Sequence, residues 1–233
     1  MPAAGGSEGA GAAQAELAKP GVIGADYRLA SGDLLEVEVF GVSELKRYDR
    51  DAVMERYGID RAQAARVEAT LMHLFDQVAE AWQLDEDDRV LLRRAAMLHE
   101  LGLVIAHSQY HVHGSYVLEH SDIAGFSRQQ QQFLAALVRT HRRKVPKSAF
   151  DALPDRLLSA ARRSAALLRL AVLIHRAHEA TPIPQLEAVA SPSGITLTLS
   201  KRWLDARPLL KADLLGEPDD MAGLGITLRI EMA

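Results

Sequence analysis

Histidine, arginine and lysine side chains, all of which can bind phosphate, are concentrated in one part of this sequence. Six of the nine histidines lie between Leu92 and Lys144. Guanidinium groups match phosphate oxygens with two parallel hydrogen bonds, and ammonium and imidazole groups add further donors. The candidate phosphate-binding residues, none of them a candidate catalytic residue, are His107, His111, His113, Arg139, His141, Arg142, Arg143 and Lys144.

The distribution of charge supports this choice of residues. The chain has a formal net charge of −4, but ten lysines and arginines face only two aspartates between Arg139 and Arg176, a local charge of +8. Such a segment attracts polyanions to one face of a protein. The competing interpretation is that cations gather at a helix C-terminus because of the helix dipole and are otherwise solvated.

The histidines His107, His111, His113 and His120 leave more than one interpretation open. We predict a loop here that ends at Gly114, and its histidines could contact phosphate or bond to nearby backbone carbonyls. If the backbone were helical, two imidazoles four residues apart could share a zinc ion. The residues alone leave these alternatives open.

Apolar residues with helical spacing predict a helical domain over residues 46–182. Asp85 with Asp88 and Ser127 with Gln130 have the spacing of capping boxes, and Pro154 suits the first turn of the last long helix. Arg162, Arg169 and Arg176, seven residues apart, are expected to form structural salt bridges. The predicted core faces include Leu71, Leu74, Phe75, Val78 and Trp82 in one helix and Leu134, Leu137 and Val138 in another.

Two short segments rich in Ile, Thr and Leu, "GITLTL" and "GITLRIEM", predict strands near the end of the sequence. Between them we predict helical pieces broken at Pro208 and Gly216. The result is a small α/β appendage over residues 183–233. We expect Trp82 and Trp203 to pack rather than to stack on bases, so nucleic acid is not an expected partner.

The first 45 residues differ from the rest of the chain in composition and in apolar pattern. Residues 1–26 are rich in Gly and Ala and are predicted to be a disordered leader. Residues 27–45 alternate Leu35, Val37 and Val39 with glutamates, which predicts a short strand, and they resemble the start of bacterial polysaccharide-export proteins. The chain has no cysteine, no signal-like start and no long apolar run, so we expect a cytoplasmic protein without membrane insertion.

Four blocks of the sequence occur in the order found in the carboxy-terminal region of the exopolyphosphatase/guanosine pentaphosphatase (Ppx/GppA) family. They are "AAMLHELGL", "HSQYHVHGSYVLEHSD", "GFSRQQQ" and "LVRTHRRK". The resemblance runs from about residue 50 to the end. It implies a mainly α, HD-domain-like helical bundle with the small α/β appendage.

The same resemblance implies a function in binding inorganic polyphosphate or another phosphate polyanion. In that family the catalytic, magnesium-using half is a pair of actin-like domains, and the residues ahead of residue 50 are too few to form them. We therefore expect this chain alone to be inactive and to need no cofactor, although the family hydrolyses phosphoanhydrides. The resemblance also suggests a homodimer and a separately encoded catalytic half as partners.

An HD-like fold raises an alternative function, a divergent HD-type metal-dependent phosphohydrolase. His99 and Glu100 occupy the position of the metal-binding His-Asp pair in such enzymes. His73 fits poorly as the first-helix ligand, and the last long helix offers no aspartate. A divalent cation needs several converging ligands, so we expect His99 and Glu100 to be hydrogen-bonded structural residues instead.

Overall fold

The structure, a computed structural model, describes residues 50–233 except residues 122, 124 and 181. The predicted leader (1–26) and the predicted strand-like segment (27–45) lie outside the described residues. Of the helices in the described part, none combines the length and the apolar composition that a membrane span needs.

The described chain is mainly helical, which confirms the predicted class. Six α-helices come first, with short 3-10 segments at Leu101–Val104 and Lys147–Phe150. Helix α2 packs against α3, α6 and the first strand, and α4 packs against α5. The helices are α1 (Arg50–Arg56), α2 (Arg61–Trp82), α3 (Glu86–Leu98), α4 (Tyr110–His120), α5 (Arg128–Thr140) and α6 (Asp155–Ile174).

The predicted helix starts and core faces agree with the structure. Asp85 with Asp88, and Ser127 with Gln130, form capping boxes at the starts of α3 and α5. Pro154 stands one residue outside α6, at its N-cap. Every member of the two predicted core faces is buried: Leu71, Leu74, Phe75, Val78, Trp82, Leu134, Leu137 and Val138.

The prediction of a loop up to Gly114 is wrong. Helix α4 begins at Tyr110 and runs through Gly114 to His120. A Cβ on Gly114 would lie 3.1 Å from a methyl carbon of Val138 on α5 and 3.2 Å from the backbone nitrogen of Gly102. This glycine is therefore required by close helix packing and does not end the helix.

The carboxy-terminal part forms a three-stranded sheet, as predicted in outline, with a third strand that we had not identified. Strands β1 (Leu186–Ser191) and β2 (Gly194–Leu199) form an antiparallel hairpin, and β3 (Thr227–Met232) lies parallel to β2 on its other side. The connection from β2 to β3 contains α7 (Lys201–Asp205), α8 (Pro208–Met221) and a 3-10 turn (Ala222–Leu224).

The predicted break at Gly216 is also wrong, because α8 continues through Gly216 and through Pro218 to Met221. Pro208 does begin a helix, as predicted. The residues that α8 buries are Leu214, Glu217 and Met221, which lie on one face of the helix. Their contacts with the rest of the protein outweigh the low helix propensity of glycine and proline.

Helix α2 joins the sheet to the helical part through side chains that bond to the outer edge of β1. The Gln77 side-chain oxygen accepts from the Ala188 backbone N–H at 2.8 Å. The indole N–H of Trp82 donates to the Ser191 carbonyl at 2.9 Å. His73 Nε2 lies 2.9 Å from the Leu186 carbonyl, so this histidine binds the strand edge.

We predict that Gly102→Ala destabilises the protein by about 1–3 kcal/mol, the usual cost of overpacking a dense contact. A Cβ at this position would lie 2.0 Å from the Tyr110 carbonyl oxygen and 2.5 Å from the Gly114 nitrogen. Urea denaturation measures the change. Gly216→Ala is the matched control, because a Cβ there meets nothing within 4 Å and alanine favours a helix. Equal stability of the two variants would contradict the tight packing of Gly102.

Candidate functional site

A cleft of about 590 Å³ lies where the C-terminal ends of α5 and α6 meet α8. Four of the eight predicted binding residues line it, namely His107, His141, Arg142 and Arg143. Tyr110 and Glu100 line the same cleft from the helical side, and Asp213 and Glu217 line it from α8. The cleft is therefore the place where residues distant in sequence come together.

Arg169 is fully buried beside the cleft, with only 1% of its surface exposed. Its Nε donates to a Glu217 carboxylate oxygen at 2.6 Å, and one terminal nitrogen lies 3.3 Å from Asp220. The other terminal nitrogen donates to the backbone carbonyls of Thr140 at 2.6 Å and Arg143 at 2.8 Å. Burial raises the pKa of Glu217, and the adjacent guanidinium opposes that shift.

Arg142, Arg143 and Lys144 follow the end of α5, and we call these three residues the basic corner. The Arg142 guanidinium carbon stands 4.5 Å from the centre of the Tyr110 ring, over which it stacks. Arg143 and Lys144 are exposed, and Arg143 has a left-handed backbone with φ of 62°. None of the described carboxylates lies within ion-pair distance of these three cations.

The remaining charges around the cleft are paired. Arg169 binds Glu217 and Asp220, and Arg176 forms an ion pair with Asp213. These contacts confirm the predicted structural salt bridges of Arg169 and Arg176. Arg162 makes none that the structure describes and lies near the Phe150 ring instead.

Glu100, the remaining acid of the cleft, lies 3.1 Å from His178 Nε2. His178 follows α6 and is itself part of the cleft lining. Among the described residues, Arg142 and Arg143 are the arginines of the lining without a carboxylate within ion-pair distance, although the lining contains four acids and four arginines in all. Lys144 adds a third positive charge next to them in the chain.

Three buried histidines form a cluster beneath Arg142. The ring centre of His141 lies 5.6 Å from that of His99 and 6.2 Å from that of His111. His99 Nδ1 donates to the Ala96 carbonyl at 2.6 Å, and His141 Nδ1 donates to the Val138 carbonyl at 2.7 Å. The Nε2 atoms of these two rings are therefore unprotonated acceptors. His99 Nε2 is buried with no hydrogen-bond partner among the described residues.

These imidazoles are neutral at pH 7 because burial disfavours their charged form. Burial lowers the pKa of His99 and lowers that of His141 well below its ordinary value. Burial and the nearby Arg139 and Arg142 lower the pKa of His111 to about 4. The cluster thus shapes the cleft without adding positive charge to it.

The other predicted binding residues lie apart from the cleft lining. His111 is buried behind His141, while His113 and Arg139 are half-buried on α4 and α5. Lys144 is exposed just beyond the cleft. The structure thus groups His107, His141, Arg142 and Arg143 in the cleft and leaves the other four predicted residues outside its lining.

The alternative function, an HD-type hydrolase, requires a metal site at His99 and Glu100. His99 Nε2 lies 3.8 Å from a Glu100 carboxylate oxygen. In the part of the chain that the structure describes, no group of three or more His, Cys, Asp or Glu side chains is placed to hold a metal ion. This geometry offers no support for the divergent HD-type hydrolase.

Our prediction missed five residues of the cleft region, Tyr110, Arg169, Arg176, His178 and Glu217, as parts of a site. The seven-residue spacing of the two arginines identified one helix face, but it did not indicate their partners. Tyr110 lay in the segment that we predicted as a loop. Glu217 is 48 residues from Arg169, and no local pattern relates the two.

The neutral, buried histidines make stability depend on pH. The unfolded chain binds a proton at each histidine near pH 6.5, whereas folded His111 and His175 do so near pH 4. Stability is therefore complete above about pH 6.5 and falls as the pH approaches 4. We expect urea denaturation to show a loss of about 2 kcal/mol for each of these histidines between pH 7 and pH 5.

The variant His111→Gln isolates one of these contributions. We predict that its unfolding free energy falls less than that of the wild type over the same pH interval, by about 2 kcal/mol. A pH profile parallel to that of the wild type would show that His111 is not held neutral in the folded protein.

Comparison with known proteins agrees with the arrangement of these elements. A family model described as "Ppx/GppA phosphatase, domain III" matches residues 49–218. The guanosine-5'-triphosphate,3'-diphosphate pyrophosphatase of Vibrio cholerae is 34% identical over 213 residues, which is 87% of this chain and 42% of that protein. The protein of the same name from Pseudoalteromonas translucida is 29% identical over 204 residues, 84% of this chain and 41% of that protein.

The chain spans about two fifths of the length of these curated relatives. The family match begins one residue before α1. It includes all six helices of the helical part and extends into α8. It therefore covers the basic corner, Arg169 and Glu217. On this match, the chain belongs to the Ppx/GppA phosphatase family, of which it contains the region called domain III.

Proposed function

We propose that this chain binds phosphate polyanions at the basic corner and is the ligand-binding part of a Ppx/GppA phosphohydrolase. The observation that carries the proposal is the set of three adjacent cations at the mouth of the cleft for which the described residues provide no carboxylate partner. An unpaired guanidinium retains its donors for a ligand, and a fork of donors matches phosphate oxygens. A linear polyphosphate, or a nucleotide with several phosphates, has the matching charge.

The position of Arg169 argues against the competing interpretation that the cations only cap a helix. Two carbonyls at the end of α5, those of Thr140 and Arg143, already accept hydrogen bonds from Arg169. The side chains of Arg142 and Arg143 make no hydrogen bonds to backbone carbonyls in the described part of the chain. Among the described residues, their partners are neither carboxylates nor backbone carbonyls, and Arg142 is held by the ring and hydroxyl of Tyr110.

The family assignment supports the same class of ligand. The relatives named above are pyrophosphatases of guanosine 5'-triphosphate 3'-diphosphate. If this chain binds a molecule of that kind or inorganic polyphosphate, the contacts are mainly electrostatic and depend little on the identity of the ligand. We further propose that the chain alone binds without hydrolysis, and that hydrolysis requires a catalytic half of the kind that the family resemblance implies.

We predict that long-chain inorganic polyphosphate binds with an affinity that falls steeply as salt is raised. Cations that neutralise phosphates release counterions, and three such contacts give a slope of about −2 for log affinity against log salt concentration. Fluorescence titration with labelled polyphosphate between low and physiological salt measures the slope. An affinity that does not change with salt would contradict an electrostatic site.

The double variant Arg142→Ala with Arg143→Ala should weaken polyphosphate binding at least tenfold, because two of about three phosphate contacts are lost. Stability should change little, since exposed charges and a stacked arginine contribute on the order of 1 kcal/mol or less each. The matched control is Lys201→Ala with Arg202→Ala, which removes two exposed cations outside the cleft.

Leu137→Ala provides the comparison for stability. Leu137 is fully buried on α5, the helix that the basic corner follows, and its truncation should destabilise the protein by about 2–5 kcal/mol. Thermal unfolding of both variants measures the difference. If the double arginine variant unfolded as readily as Leu137→Ala, the two arginines would be structural, and the proposed binding site would be wrong.

A further inference from the structure

Another cavity, also of about 590 Å³, lies between the end of α6 with the segment that follows it and the part of the chain where α7 ends and α8 begins. We call it the apolar pocket. It shares Leu173, Arg176 and Asp213 with the cleft of the basic corner, and its other lining residues are different. A volume of this size is within the usual range for sites that bind small molecules.

The walls of the apolar pocket are largely aliphatic. Leu173 and Ile174 contribute from α6, Ile183 from the segment that follows, and Leu209 and Leu210 from the first turn of α8. Leu209 is 82% exposed, the highest value among the large apolar side chains of the described chain. An apolar ligand in the pocket would remove part of this surface from water, which favours binding.

Arg207 provides a cation at the wall of the pocket, in a position that Trp203 fixes. The guanidinium carbon lies 4.4 Å from the centre of the Trp203 ring, and one terminal nitrogen donates to the Trp203 carbonyl at 3.3 Å. The stacking holds the guanidinium in place and occupies one face of the indole. A guanidinium has several N–H donors, arranged as a fork that matches a carboxylate.

The other ionisable groups of the lining leave Arg207 as the cation that a ligand anion would meet. Arg176 and Asp213 neutralise each other in their ion pair. His175 is uncharged at pH 7, because burial lowers its pKa to about 4. Glu179 is exposed, so water and salt screen its negative charge.

We propose that the apolar pocket binds a small aliphatic carboxylate, with its hydrocarbon chain against the leucine and isoleucine side chains and its carboxylate on Arg207. The branched aliphatic walls suit a flexible chain, and the indole face that could stack on a flat ring is already covered by the guanidinium. The carboxylate gains charge-assisted hydrogen bonds from a cation that is already held in position. This ligand class differs from the polyanions proposed for the basic corner, so the two proposals can fail separately.

The test compares octanoate with octanol and octylamine, which have the same chain length and different head groups. The chain has two tryptophans, and Trp203 lines the pocket, so intrinsic fluorescence reports binding. We expect octanoate to bind with a dissociation constant of roughly 0.1–1 mM, an ordinary affinity for a ligand of about ten heavy atoms. Octanol should bind about tenfold more weakly, and octylamine more weakly still, because neither has a carboxylate for Arg207.

The variant Arg207→Gln tests the contact with the head group. Glutamine keeps part of the apolar stem and removes the positive charge. Octanoate should then bind no more tightly than octanol, whereas the affinity for octanol should be the same as in the wild type. If the variant bound octanoate as tightly as the wild type does, the carboxylate would not lie on Arg207.

The variants Leu209→Asp and Leu215→Asp form a matched pair. Both leucines are exposed on α8, but Leu209 lines the pocket and Leu215 does not. Leu209→Asp removes apolar surface and places a negative charge near the ligand carboxylate, so it should weaken octanoate binding about tenfold or more. Leu215→Asp should bind octanoate as the wild type does. Because both side chains are exposed, the two variants should retain the fold, which thermal unfolding verifies.

Three results would overturn the proposal. The first is a wild-type protein that does not bind octanoate up to about 10 mM, above the expected range. The second is equal affinity for octanoate, octanol and octylamine, which would indicate unspecific adsorption to apolar surface. The third is loss of octanoate binding in the double variant Arg142→Ala with Arg143→Ala, which would place the carboxylate at the basic corner instead.

Discussion

The buried guanidinium of Arg169 is the interaction on which the arrangement of the cleft depends. A buried charge is tolerated only when it is paired and its hydrogen-bonding groups are satisfied. Arg169 meets this condition with the Glu217 carboxylate and with the carbonyls of Thr140 and Arg143. Its partners belong to α8, to the end of α5 and to the segment that follows. One side chain on α6 thereby fixes three elements relative to each other.

The conformation of the basic corner follows from this contact. Arg143 adopts a left-handed backbone, which is uncommon for a residue other than glycine and is costly. Its carbonyl accepts a hydrogen bond from Arg169, so the buried arginine stabilises the strained turn. Just after α5, Arg142 and Arg143 both line the cleft, and Arg143 is exposed to solvent. The positive charges of the basic corner are those of Arg142, Arg143 and Lys144, since the buried histidines are neutral.

Local patterns in the sequence were sufficient to predict helices, caps and core faces, but not the contacts between distant residues. The capping box of Ser127 and Gln130 involves residues three apart, so its spacing can be read directly. Gly114 and Gly216 were interpreted as helix breaks because the tertiary contacts were unknown. Gly114 packs against Val138, and the helix that contains Gly216 buries Leu214, Glu217 and Met221. For the same reason the cluster of basic residues was found while Glu217, the ion-pair partner of Arg169, was not.

The buried arginine and the sheet edges follow from one physical requirement, that polar groups which lose contact with water must find partners. Arg169 finds them in backbone carbonyls and acids, and the outer edge of β1 finds them in the side chains of α2. The outer edge of β3 has no such cover in the described part of the chain and is still accessible to water.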